Sequence, residues 1–286
     1  MSYFDEFPEL SISSLRIIKK SVDTSFREFS RSYGESIEVF FYPLKVFMTW
    51  MEWTLITTPW PLTIIFFVGA IYYFTHNKKL AFFSILYMLF IGVFGLWEDT
   101  MYTISLVIVS TIISVLMGMP IGIMMAKHNK VQSVMNPVLD VMQTIPIFVY
   151  LIPVVMLLGL GKIPGVIAMC IYAIAPIIRL TNLGLRQVDV GMYEAAASLG
   201  LTPFQILRKI ELPLAKRSIL TGTNQTIMMA ISMVVIASMI GVQGLGVSVL
   251  QAVQNQYIGS GLISGTAIVG LAIILDRIVQ NAKSRY

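Results

Sequence analysis

The sequence predicts an all-α polytopic membrane protein with about seven spanning helices. Three observations carry that expectation. Of 286 residues, 56% are hydrophobic and only 12% are charged, about half the charged share usual in a soluble domain; mean hydropathy is +0.79. Apolar runs of about 17 to about 27 residues recur along the chain, and such lengths cross roughly 30 Å of hydrocarbon. Lys and Arg concentrate in alternate connections between those runs, as they do in loops on the cytoplasmic side of a membrane.

Residues 1–36 read as a polar N-terminal tail, partly helical at best, with Arg16, Lys19, Lys20, Arg27 and Arg31 set against six acids. Residues 37–58 differ. Phe40, Phe41, Tyr42, Phe47, Trp50 and Trp53 crowd together, while Glu38, Lys45 and Glu52 recur every seven positions and line one helical face. The stretch fits either an interfacial amphipathic helix or a tilted spanning one. Residues 59–97 form a peripheral hairpin with spans at about 59–75 and 80–97. The core, 98–286, holds spans at about 100–126, 134–160, 163–179, 218–241 and 262–280. Pro146 and Pro153 interrupt the second of these and Pro176 the third, and kinked spans are tolerated where protein or a water-filled cavity covers the break. Gly118 with Gly122, and Gly261 with Gly265, are GxxxG pairs that let helix backbones approach.

The connections set the orientation. His76–Lys79, Lys127–Lys130, the long stretch 180–217 and the end Lys283–Arg285 are basic, whereas Trp97–Asp99, Gly159–Lys162 and 242–261 carry two acids and one Lys. The basic set is therefore expected inside, the C-terminus with it, and the N-terminal tail outside. The net charge of +5 belongs to this asymmetry, so no nucleic-acid partner is expected. Cys170 is the single cysteine, which leaves no intrachain disulfide. His76 and His128 lie far apart without ligand-like company, so no metal site is expected. Met1–Ser11 lacks a basic n-region and an apolar h-region, so no cleaved signal peptide is expected.

Residues 180–217 are the one long internal loop. Met192–Leu199 reads as a short helix with Ala195, Ala196 and Ala197 on a flat face, and Gly200 sits where a left-handed residue ends it. Thr202 can cap a second helix with Pro203 at its first position and Gln205 three residues after the cap; that helix is expected to stop near Leu212-Pro213. An exposed alanine face is a poor catalyst and a good peg for a partner's groove.

The run Glu194-Ala195-Ala196, three residues, Gly200, nine residues, Ile210, one residue, Leu212-Pro213 resembles the EAA signature of ABC importer permeases. Residues 97–280 resemble, more narrowly, the glycine betaine/proline betaine permeases through Asp140–Pro146, Phe148–Gly159, Ala175–Leu180, Asn224-Gln225, Ser232–Ile240, Gly244–Gly246 and Ala272–Arg277. Residues 1–96 resemble that family only loosely. The resemblance implies a type I ABC importer transmembrane domain in a bacterial cell (inner) membrane. It also implies a second copy of this chain, two cytoplasmic ATPase subunits that receive the loop as a coupling helix, and an extracytoplasmic substrate-binding protein or domain.

The chain has no GxxxxGK[ST], so no cofactor is expected in it; ATP and Mg²⁺ would be bound by the partner ATPase. Ionisable residues are absent from 100–126, 163–178, 218–241 and 262–275, against the habit of ion-coupled carriers. Asp140 is the exception: an exposed helix-end residue, a salt-bridge partner for Arg179 or Arg186, or a pathway residue. An uncharged passage suits a small zwitterion or neutral polar solute. Met142, Gln143, Phe148, Asn224, Gln225 and Ser232 are the candidate path residues, with helix packing as their other reading. A stand-alone channel or secondary carrier leaves the EAA run as accident, and an intramembrane enzyme needs a nucleophile and base that the spans lack.

Overall fold

The computed structural model describes residues 10–284 as helices joined by short turns. Residues 1–9 of the expected tail, and Arg285 at the basic end, lie outside the described residues.

The first helix, α1 (Ile12–Thr57), overturns the expected division at residue 36. It runs unbroken for 46 residues, about 69 Å at the helical rise, from a Ser11 side chain that accepts the Ser14 N–H. The physical reason is local. Residues 12–36 contain no proline and one glycine, and aromatic pairs a turn apart support the helix: Phe26 with Phe29 at 6.3 Å and Phe29 with Tyr33 at 5.1 Å. The Ser30 hydroxyl donates to the Met156 carbonyl at 2.9 Å, tying this half to the core.

The seven-residue charge repeat does share one face, but only its last member, Glu52, turns into the protein; Glu38 and Lys45 stay exposed. Glu38 and Lys45 lie 3.9 Å apart, and Glu52 is buried and paired with Lys162. The aromatics Phe40, Tyr42, Trp50 and Trp53 are left exposed, the arrangement that suits contact with lipid headgroups and tails.

α2 (Trp60–Thr75) leaves α1 at 111°, and α3 (Lys78–Val93) returns beside it. The turn between them is built on a left-handed His76 and on Asn77, whose side chain accepts the N–H groups of Lys79 and Leu80. Tyr87 then anchors the hairpin to α13 (Ile258–Ser284): its hydroxyl donates to the Ala267 carbonyl at 2.8 Å. Gly270 leaves room for the ring, since a Cβ there would lie 2.5 Å from it.

The centre of the molecule is α4 (Trp97–Lys127), α7 (Lys162–Arg186) and α10 (Leu212–Ser232), packed pairwise. The expected Gly118/Gly122 pair works here: a Cβ at Gly118 would lie 2.5 Å from Ile177, and one at Gly122 would lie 2.7 Å from the Ile178 carbonyl. Gly184 and Gly222 allow the same closeness between α7 and α10. Gly261/Gly265 does not, because nothing approaches Gly265 and only Ala252 approaches Gly261.

The expected span 134–160 is two helices, α5 (Asn129–Thr144) and α6 (Ile147–Leu158), bent by 92°. Pro146 drives Ile145 out of the helical region (φ −62°, ψ 129°), and the break falls there. Pro153 and Pro176, in contrast, are carried inside continuous helices. Beyond α10 the helix is interrupted at Met233 and resumes as α11 (Val234–Ser238), and the expected loop 242–261 contains a further helix, α12 (Leu245–Gln254). α12 is seated by Thr103, which accepts the Leu245 N–H at 2.9 Å, and by Ser248, which donates to Asp99 at 2.6 Å.

Among the described residues α4, α7 and α13 are each long and apolar enough to cross a membrane, and the bent pairs α1–α2 and α5–α6 raise the number to five. The expected seven is not reached on that ground: α3 has 16 residues, about 24 Å, and α10, which covers most of the expected span 218–241, is not apolar enough over its length.

Candidate functional site

The chain between α7 and α10 folds into a corner. Asp189 opens α8 (Val190–Ser198) by accepting the Gly191 N–H at 2.8 Å. Gly200 follows the helix with φ +77°, the left-handed conformation expected of it. Thr202 and Gln205 form a complete capping box at the start of α9 (Pro203–Ile206), with Pro203 in the first turn. The expected stop at Leu212-Pro213 is absent. A π-helical turn, Leu207–Glu211, carries α9 directly into α10, and the Leu212 N–H reaches back to the Leu207 carbonyl. The cause is Pro213, whose ring crowds the carbonyl four residues before it and supplies no N–H; widening the preceding turn accommodates both.

Of the motif residues, Glu194, Ala195, Gly200 and Pro213 are exposed, Ala196 is buried, and Ile210 and Leu212 are half-buried. Ile206, 1% exposed, anchors the corner from inside. Leu199 and Phe204 stand out at 81% and 68% exposure, so the two short helices present an apolar knob beside the alanine face. No reacting pair accompanies it, and among the described residues no three His, Cys, Asp or Glu side chains gather as metal ligands. Such a surface is shaped to be gripped and moved.

Two residues of the basic connections tie the helices beneath the corner together, and one of them, Lys127, reaches the corner itself. Lys127, the last residue of α4, donates to both carboxylate oxygens of Glu211 at 2.6 and 2.5 Å. Its ammonium also lies 5.7 Å from the centre of the Tyr193 ring on α8. Arg186 donates to the Met125 carbonyl and to Asn129, each at 2.8 Å, and to Asn182 at 3.0 Å. Sequence reasoning used Lys127 only as a sign of sidedness and passed over Glu211, because nothing in the sequence shows that positions 84 apart will meet.

The candidate path residues divide. Gln143 and Phe148 are exposed on the two sides of the α5–α6 bend, and Gln225 and Ser232 are exposed on α10. Met142 is half-buried and packs with the cluster around Leu139 and Ile178. Asn224 turns to α13, where it donates to Asp276 at 2.7 Å. Asp140 takes the second of its three readings: it accepts from Arg179 at 2.5 Å, with both side chains exposed to about half. That pair shares the α5 face of Gln143 and Thr144, one turn on.

An all-helical chain with spans long and apolar enough to cross a membrane, and an exposed EAA corner at the end of its core, fits the class of transport permeases. The chain belongs to the family of binding-protein-dependent transport system inner membrane components, whose model matches residues 118–286. It is 48% identical to the glycine betaine/carnitine transport permease protein GbuB of Listeria monocytogenes over 78% of this chain and 79% of that one. It is 45% identical to the glycine betaine transport system permease protein OpuAB of Bacillus subtilis, over 78% of each chain. Identity to the glycine betaine/proline betaine permease ProW of Escherichia coli is 42%, over 83% of this chain and 67% of ProW. The fold is that of an inward-facing MetNI methionine ABC transporter chain, with a TM-score of 0.56 and 22% identity over 66% of this chain and 93% of that chain. The chain is thus the membrane-spanning part of an ABC importer and not itself an enzyme.

Proposed function

We propose that this permease carries glycine betaine, proline betaine or a similar small zwitterion into the cell, driven by ATP hydrolysed on a separate subunit. The observation that carries the proposal is the exposed corner Glu194–Pro213, a capped projection with an apolar knob, in a chain whose relatives include glycine betaine permeases. The corner and the C-terminus lie in the cytoplasm, on the side of His76–Lys79 and Lys127–Lys130; the N-terminus lies outside. Cytoplasmic ATPase subunits grip the corner and hold the ATP and Mg²⁺. An extracytoplasmic binding protein or domain delivers the solute at the opposite end.

A second copy of this chain completes the path. The faces carrying Gln143, Phe148, Gln225 and Ser232, together with Asp140 and Arg179, are left uncovered by this chain alone. An ion pair on such a face is costly against lipid, and it is tolerated against water or a second subunit. Met142 and Asn224 then support the path from behind. Closing of the ATPase dimer on ATP swings the corner, and the α4–α7–α10 core rocks between inward- and outward-open arrangements.

Purification of the tagged permease from native membranes in mild detergent, with mass spectrometry of its companions, tests the assembly. An ATPase in equal amount, with an extracytoplasmic binding protein, is the expected result. A permease that comes down alone and moves solute in liposomes without ATP is the result against it.

A further inference from the structure

The Lys127–Glu211 contact does more than tether a loop. We infer that Lys127 is the joint that makes α4 move with the corner, so that it sets how much solute moves per ATP. The inference rests on the transport reading above and adds a positioning residue to it.

The corner has two covalent routes into the core: through residues 187–189 to α7, and through the π turn to α10. α4, which packs extensively on both, has no covalent link to the corner. Lys127 supplies a noncovalent link at the last residue of α4, where the helix C-terminus already favours a cation. One ammonium touches both arms of the corner: the Tyr193 ring on α8 and the Glu211 carboxylate at the end of the π turn. Glu211 is 7% exposed, and Lys127 holds both of its carboxylate oxygens, so removing the lysine would leave a buried charge without this partner.

The arm it holds is the one most able to yield. A π turn has a looser hydrogen-bond ladder than an α-helix and recurs where helices do work. With the salt bridge in place, a push on Leu199 and Phe204 is shared by α4, α7 and α10. Without it, the π turn can flex and the push dissipates before it reaches α4. Arg186 cannot substitute, since two of its bonds run from α7 to the α4–α5 junction, the third stays within α7 on Asn182, and none reaches α8, α9 or the π turn.

The test uses the complete importer in proteoliposomes and reads solute moved per ATP hydrolysed. Glu211→Gln and Lys127→Met should each hydrolyse ATP but lower that ratio about five-fold or more, the weaker end of ordinary coupling between sites. The exchanged pair Lys127→Glu with Glu211→Lys should recover most of it. An unchanged ratio in the single variants overturns the joint, as does a loss that the exchange fails to recover. If the single variants do not assemble, Tyr193→Leu carries the test: a lowered ratio supports the joint and an unchanged one refutes it. Wild-type uptake that needs no ATP would instead overturn the transport reading itself.

Discussion

Single residues at the corner and at the helix crossings are where backbone geometry leaves least freedom. Gly200 holds φ at +77°, whereas proline is confined to about −65°. Gly200→Pro should therefore unmake the corner, and uptake should fall to background while the protein remains in the membrane. Ala195 is exposed, so Ala195→Trp should leave thermal stability unchanged and abolish uptake by blocking the partner's groove; normal uptake by either variant would remove the corner from the mechanism. At the other end of the core, a Cβ on Gly246 would stand 2.3 Å from the Val234 carbonyl oxygen. Gly246→Val should lower stability by about 1–3 kcal/mol, the usual cost of overfilling a packed site, visible as a lower melting temperature in detergent. Gly200 was legible because its neighbours spell a helix end and a cap. Gly246 was not, because close approach depends on which strands of chain fold back together.

Elements were legible where one rule governed them and obscure where two competed. The capping box at Thr202 and Gln205 and the break at Pro146 follow from local chemistry, and both stand where the sequence put them. The stop at Leu212-Pro213 failed because a π turn is an alternative answer to a proline, and no local signal chooses between them. α1 failed differently. Its polar first half looked like tail, yet it is held by aromatic pairs and by contacts with residues more than a hundred positions away. Glu52 is its buried anchor. Lys162→Met should leave that carboxylate without its partner and destabilise the docking of α1 by about 3–5 kcal/mol. Limited proteolysis should then cut α1 faster, whereas Lys162→Arg should protect it; equal cutting in both variants would show that the pair does not hold the helix.

Across the whole molecule, the division of labour explains why the class of protein is readable and the solute is not. A permease of this kind has to be apolar outside, sidedly charged and equipped with a projecting corner, and each demand leaves a pattern in the sequence. On the proposed reading, in which the binding protein selects the solute, recognition makes no such demand on this chain. Its uncovered faces carry scattered amides, hydroxyls and one ion pair, a surface suited to weak passage and not to tight binding. Tight binding of a betaine to the isolated permease would contradict that view, and none should be detectable by calorimetry at millimolar solute. The surfaces that second copies and partners cover are equally silent in one chain, since their complement is written elsewhere.

Radiolabelled glycine betaine uptake by proteoliposomes holding this permease with its ATPase and binding protein is the most direct test. Accumulation against a gradient that requires both ATP and the binding protein, and that disappears with Gly200→Pro, is the predicted result. Uptake that proceeds without ATP and stops when inside and outside concentrations match would contradict the account.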